Sequence, residues 1–200
     1  MKLFFDIEST GLPLQPSFGE WAPPEHLEKY ATSRIIEIGI IIVHKGKIIE
    51  TYNSIVKPDN FTKLIPKITE ITGITDKQII KEGKDFKQVI KEIKPLFDKS
   101  DSINSYNIGF DRNVLLSELY RINDINFIRV ILDMKYECTY HLSKKILYLE
   151  SYKLEKVYKE LFKKDPAQDH RAYNDAVLCM DVYYKLKELY KNRLSEKNRN

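Results

Sequence analysis

Apolar residues gather in three stretches early in the chain, 3–9, 34–43 and 47–57, each rich in Phe, Ile or Val. Turn chemistry separates them, most clearly at His44-Lys45-Gly46-Lys47, and this pattern predicts three strands. The short link between the second and third implies an antiparallel hairpin. The period then changes. Residues 65–71 and 76–81 suggest short helices, and Phe86, Val89, Ile90, Ile93, Leu96 and Phe97 recur at helical spacing behind Asp85, a candidate N-cap. A strand follows over 102–106, a helix over 111–122 and a further strand over 127–134. Helices over 139–146 and 152–162 lead to a long final helix at about 170–194. Three strands, a helical stretch and then alternating strand and helix predict an α/β fold, a mixed five-stranded sheet flanked by helices.

One segment breaks the pattern. Residues 13–33 hold four of the eight prolines and the single tryptophan, with no convincing strand. Some twenty residues without regular structure are uncommon inside a small domain and are usually functional or mobile. Phe18, Trp21 and Tyr30 would be costly to leave in water. Either they fold back onto the core, or the segment overhangs a site and Trp21 stacks on a ligand.

Two hundred residues, 42% of them hydrophobic, can bury one sizeable core, so a single domain over 1–200 is expected, with 13–33 as an inserted loop and 195–200 as a disordered tail. A formal charge of +4 implies little alone, and from charge alone a solvated helix face in a Lys-rich chain is the better explanation. Its distribution is lopsided: residues 141–200 carry 14 Lys/Arg against 9 Asp/Glu, which leaves 1–140 at −1. A basic C-terminal third suits a polyanionic partner. Cys138 and Cys179 form no C-x-x-C and read as free thiols in a reducing compartment. The N-terminal apolar run is interrupted by Asp6 and Glu8, and no run is long enough to span a bilayer, so an intracellular, cytoplasmic setting is expected.

Candidate chemistry lies in three short blocks. Asp6 and Glu8 are two apart on a predicted strand, so both point to one face while Phe5 and Ile7 pack on the other. A solvent-facing pair would be ordinary on an edge. On a central strand, two carboxylates forced together call for a cation, and oxygen-only ligation suits Mg²⁺ or Mn²⁺ rather than zinc. Asp111, alone, reads as a helix N-cap. Asp175 lies within the amphipathic pattern Ala172, Ala176, Val177, Met180, where an unpaired carboxylate is costly and a metal would compensate it. His170, five residues earlier, is expected to project from the loop entering that helix, as a candidate general base. His26, His44 and His141 have no such company. The chain has neither a P-loop nor a dinucleotide fingerprint.

Asp6-Ile7-Glu8-Ser9-Thr10-Gly11, Asn107-x-Gly-Phe-Asp111 and His170-x-x-x-x-Asp175 resemble, in order and spacing, the three motifs of the DEDDh (DnaQ-like) 3′–5′ exonucleases, which include polymerase proofreading subunits and have an RNase H-like fold. Residues 68–74 are similar to the family's connecting segment, and the resemblance runs from about residue 2 to 190. A Tyr-type relative would carry tyrosine where Arg171 stands, so the chain resembles the His type. Ser9 stands where many relatives have Thr, and 13–33 is longer than in compact members. The resemblance implies two Mg²⁺ (or Mn²⁺) ions held by Asp6, Glu8, Asp111 and Asp175, with His170 taking a proton from the attacking water. It also implies that Thr10, Gly11, Leu12 and Asn107 contact the terminal nucleotide. The implied substrate is the 3′ end of a single-stranded nucleic acid, DNA in a proofreading- or repair-like role, with a polymerase as a partner. RNA trimming, or a non-catalytic nucleic-acid-binding or polymerase-docking module on the same fold, are the alternatives.

Overall fold

The computed structural model of the protein describes residues 1–17, 19–166 and 170–197, with side chains to residue 195. It contains a mixed sheet in the order β4-β3-β2-β1-β5-β6. β2 (Ile35–His44) pairs antiparallel with both β1 (Lys2–Ser9) and β3 (Lys47–Lys57). β5 (Ser102–Ser105) joins β1 in parallel, and β6 (Lys135–Cys138) joins β5 in parallel. β4 is a two-residue strand, Lys84–Asp85, parallel to the end of β3. The sheet therefore has six strands where five were expected.

Period-two alternation sorts β1 cleanly. Leu3, Phe5 and Ile7 face a core shared with α3 (Phe86–Asp98), α4 (Ile108–Arg121) and α5 (Ile125–Asp133). Phe4 turns the other way, against Cys179, Met180 and Tyr183 of α8 (Ala172–Lys197). α6 (Thr139–Ile146) and α7 (Leu154–Phe162) complete that second layer. α1 (Pro66–Thr72) and α2 (Asp76–Glu82) enclose a small cluster around Ile36, Leu64, Ile74 and Ile79.

The strand expected over 127–134 is instead α5. Asp124 caps it, accepting a hydrogen bond from the Phe127 N–H at 3.0 Å, and Phe127, Ile128 and Ile131 are buried at helical spacing. Phe127 meets Phe97 edge-on at 5.1 Å. A short apolar run fits either element by periodicity, and here the cap and tertiary packing decide for helix. The edge strand β6 follows at once, in more polar residues. α8 continues through Lys197, past the expected end near residue 194 and into part of the expected tail. Residues 198–200 of that tail, and Phe18, lie outside the described residues.

The 13–33 segment is tied down at several points. It holds one short 3-10 helix, Leu27–Tyr30, and Tyr30 is fully buried with its hydroxyl donating to the Ala22 carbonyl at 2.5 Å. Arg121 donates to the Leu27 carbonyl at 3.0 Å, and Arg34, just past the segment, grips Glu118 of α4 at 2.6 and 3.1 Å. Tyr30 is thus a core residue, as the fold-back reading expected. No helix among the described residues is long and apolar enough to cross a membrane.

Candidate active site

The alternation that buries Phe4 against α8 puts Asp6 and Glu8 on the same face, where the first turn of α8 supplies Asp175. One carboxylate oxygen from each of Asp6, Glu8 and Asp175 can be chosen so that all three lie within 4.8 Å of one another. Three oxygen donors that close are a ready-made site for a hard divalent cation.

Asp111 stands beside this trio. It lies in the interior of the first turn of α4, which begins at Ile108, so it is not the helix cap that its sequence context suggests when taken alone. Asn107 flanks the helix and caps nothing with its side chain. The buried Asp111 carboxylate accepts hydrogen bonds from the Ile7 N–H at 3.1 Å and from the Ser105 hydroxyl. β5 pairs with β1 only as far as Phe4, so Asp111 takes up a β1 donor beyond the ladder, between the two acids of the first motif.

His170 is exposed, two residues before α8, in the left-handed backbone region with φ 43°. It lies outside the helix, on the entering loop. Thr10, Gly11 and Leu12 leave β1 in a tight exit. The Thr10 hydroxyl donates to the Thr32 carbonyl at 2.8 Å and accepts from the Arg34 N–H at 2.9 Å, while Thr32 donates to the Leu12 carbonyl at 2.9 Å. Leu12 is 67% exposed. Thus Asp6, Glu8 and Asp175 converge, Asp111 adjoins them, and His170 and Leu12 stand on flanking loops.

Burial, reinforced by the neighbouring carboxylates, pushes Asp6 well above the usual carboxylate range and Glu8 to about 8. Burial also raises Asp111, to about 7, against the lowering effect of its bonds from Ser105 and Ile7. A model of RNase_T, described as Exonuclease, matches residues 3–183.

The chain belongs to this exonuclease family. DNA polymerase III PolC-type from Thermotoga maritima is 28% identical over 186 residues, 93% of this chain but 12% of that protein. The chain thus spans about an eighth of the length of such curated relatives. Among solved structures, the nuclease domain of 3′hExo, a DEDDh family member bound to rAMP, matches with a TM-score of 0.69 at 16% identity, covering 94% of this chain and 91% of that one. Exonuclease I of E. coli in complex with a 5cy-dT13 oligonucleotide matches with a TM-score of 0.72 at 20% identity, covering 98% of this chain and 42% of that one. The fold is that of these solved exonuclease structures.

Four residues that shape the candidate site escaped sequence reasoning. Ser105 holds Asp111, as described. Glu37, fully buried on β2, sits directly opposite Glu8. Like charges so placed repel. Arg171 offsets Glu37 with a bidentate pair at 2.9 and 2.5 Å, and the Ala172 N–H donates to the same carboxylate at 3.1 Å. Glu37 therefore anchors the start of α8, between His170 and Asp175. The available signal was an acid in the otherwise apolar run Ile35-Ile36-Glu37-Ile38. Gly39, opposite Asp6, is the fourth: a Cβ there would lie 2.2 Å from the Tyr173 nitrogen and 2.3 Å from the Ala172 carbonyl carbon.

Two outcomes follow from this packing. Gly39→Ala forces the α8 backbone off β2, and because a shift of about 1 Å can cost roughly 100-fold in rate, activity should fall at least tenfold while the sheet still forms. Steady-state kinetics with far-ultraviolet circular dichroism would check both parts. The second concerns pH. In the unfolded chain these acids lose their protons at about pH 4. Above that and up to about 8, the folded metal-free protein holds more protons than the unfolded one. Its stability therefore falls as pH rises through this window. Cations compete with those protons, so the Mg²⁺-induced rise in melting temperature should be larger at high pH than at low. Equal Mg²⁺ shifts at pH 5.5 and 8.5 would contradict it.

Proposed function

We propose that this chain removes nucleoside 5′-monophosphates from the 3′ end of single-stranded DNA, in a proofreading- or repair-like setting. The observation that carries the reading is the convergence of Asp6, Glu8 and Asp175, with Asp111 beside them, in an exonuclease-family chain. The donor set fits two Mg²⁺ or Mn²⁺ ions: it is all oxygen, and its raised pKa values mark a site lacking positive charge. Asp6, Glu8 and Asp175 would hold the first ion and Asp6 with Asp111 the second, and such a pair supplies positive charge for the attacking and leaving oxygens of a phosphodiester.

The protein groups divide the remaining work. His170, at the rim, accepts the proton of the attacking water. Thr10, Gly11 and Leu12 bound the space for the terminal nucleotide, and the exposed Leu12 wedges against its base. Exposed Asn107 reaches the same space from the turn before α4. Glu37 and Arg171 keep His170 and Asp175 in register with β1.

DNA is favoured because the curated relatives are DNA polymerases. They also make a polymerase the proposed partner. An exoribonuclease reading draws on the 3′hExo structure bound to rAMP and on another described as recognising a histone mRNA stem-loop. A non-catalytic module is disfavoured, since all five site residues are present. The test is a metal-dependent assay on 3′- and 5′-labelled single strands of DNA and RNA. The reading requires stepwise loss of mononucleotides from the 3′ end, faster on DNA. Cleavage confined to RNA would install the alternative, and no cleavage of either would leave a binding module.

A further inference from the structure

A groove of about 670 Å³, within the roughly 300–1,000 Å³ typical of ligand sites, adjoins the first two motifs through Leu12 and Asn107. Leu12 and Asn107, at the ends of the first and second motifs, form its near wall. Four further lining residues are aromatic, Trp21 from the 13–33 segment, Tyr106, Tyr140 and Tyr152, and one, Glu155, is a carboxylate. Lys153 lines it as well, and Lys144 stands over the rings of Tyr140 and Tyr152 at 5.2 and 5.9 Å.

These rings are held in place. Tyr106 and Tyr140 meet edge-on at 6.0 Å, and Tyr140 and Tyr152 at 6.3 Å. The Tyr106 hydroxyl donates to the Tyr152 carbonyl at 2.6 Å, and the Tyr152 hydroxyl donates to the Leu147 carbonyl at 2.9 Å. Trp21 has a dedicated seat. Its ring lies 5.5 Å from that of Phe110, and a Cβ on Gly109 would come within 2.9 Å of the indole edge. Glycine at that position lets the indole settle on the turn that carries Asp111. The indole is only partly buried by this contact and also lines the groove.

Fixed aromatic faces flanked by ammonium groups suit a particular ligand. Unpaired bases stack on such faces with little regard to sequence, while lysines follow the phosphates. A duplex hides its base faces and cannot use them. Resting on the exonuclease reading above, we propose that this groove is a second nucleotide-binding station. There Trp21 and the tyrosines of α6 and the segment before α7 stack the unpaired bases just upstream of the 3′-terminal nucleotide. The groove thereby selects single-stranded ends at least a few nucleotides long. The 13–33 segment then has two jobs: Tyr30 fastens it to the core, and Trp21 presents a ring to the strand.

Trp21 is the only tryptophan, so its fluorescence reports this groove alone. The intact protein, in EDTA to prevent cleavage, would be titrated with dT12, rU12 and a blunt 12-base-pair DNA duplex, following tryptophan fluorescence and the anisotropy of labelled strands. Single strands should quench Trp21 as they bind, and the duplex should bind at least tenfold more weakly. Trp21→Ala should weaken dT12 binding about ten- to a hundredfold, the loss of one stacked base, with Trp21→Phe recovering part of it. Lys153→Gln touches no packing and should lower affinity while reducing the salt slope by about 0.7. The p-nitrophenyl ester of thymidine 5′-monophosphate, too short to enter the groove, should be hydrolysed by the wild type with Mg²⁺ whether or not the groove binds a strand. Binding of dT12 without quenching, or equal binding of the duplex, overturns the groove proposal. If neither the ester nor the oligonucleotides are hydrolysed, the exonuclease reading fails instead, whatever the fluorescence shows.

Discussion

Asp175→Ala and Asp6→Ala should each reduce exonuclease activity to background and, in the absence of metal, raise the melting temperature. The loss should exceed the roughly 10–100-fold that outer-shell partners of a metal are worth, because each substitution removes one of three converging oxygen donors. The gain in stability has the same origin. Asp6, Glu8 and Asp175 share one patch; Asp6 is pushed upward by burial and by Asp111, Glu8 and Asp175, and Glu8 by burial and by Asp175, Glu37 and Asp111. Deleting one carboxylate relieves the others. A change of 1 kcal/mol moves the melting temperature of a chain this size by roughly 2–4 °C, so a calorimetric scan in EDTA would resolve it. Adding Mg²⁺ should reverse the order, stabilising the wild type more than either variant. Activity within tenfold of wild type would exclude the residue as a metal ligand, and a lower metal-free melting temperature would mean the carboxylate is structural.

His170→Ala should lower turnover by about 10²–10⁴-fold, the usual worth of a positioned acid–base group, while leaving affinity for single strands and the Mg²⁺-induced stabilisation intact. Its exposure on the loop before α8 makes a packing defect a poor rival explanation. Imidazole added to the buffer should restore part of the lost rate, which a purely structural histidine would not allow. Unchanged turnover, or a loss of Mg²⁺ stabilisation equal to that of Asp175→Ala, would remove His170 from the role of base.

Much of this was legible in the chain before any coordinates. Asp6 and Glu8 stand out because a strand's period of two puts them on one face, and that face packs against α8. Asp175 stood out because it interrupts an apolar helical stripe. What stayed hidden depends on contacts between distant segments. The depth of Asp111 comes from Ser105 and the Ile7 amide, neither of which marks the sequence around it. Glu37 passed unremarked because its partner, Arg171, lies at the far side of the fold's wiring. The helix at Ile125–Asp133 was read as a strand, since its length and apolar content fit both, and only Asp124 and the packing of Phe127 separate them. The 13–33 segment mixes a core residue with a surface one, and no local rule says which aromatic is which.

The Glu37–Arg171 pair carries one last consequence, for the timing of assembly. The acids of the first motif belong to the first strand, while Asp175 and His170 arrive with the last helix, which docks only when Arg171 reaches Glu37 and the helix backbone settles over Gly39. Until that docking the sheet carries Asp6 and Glu8 without the donor oxygen of Asp175 and without His170. A molecule whose last helix is undocked therefore holds no complete donor trio.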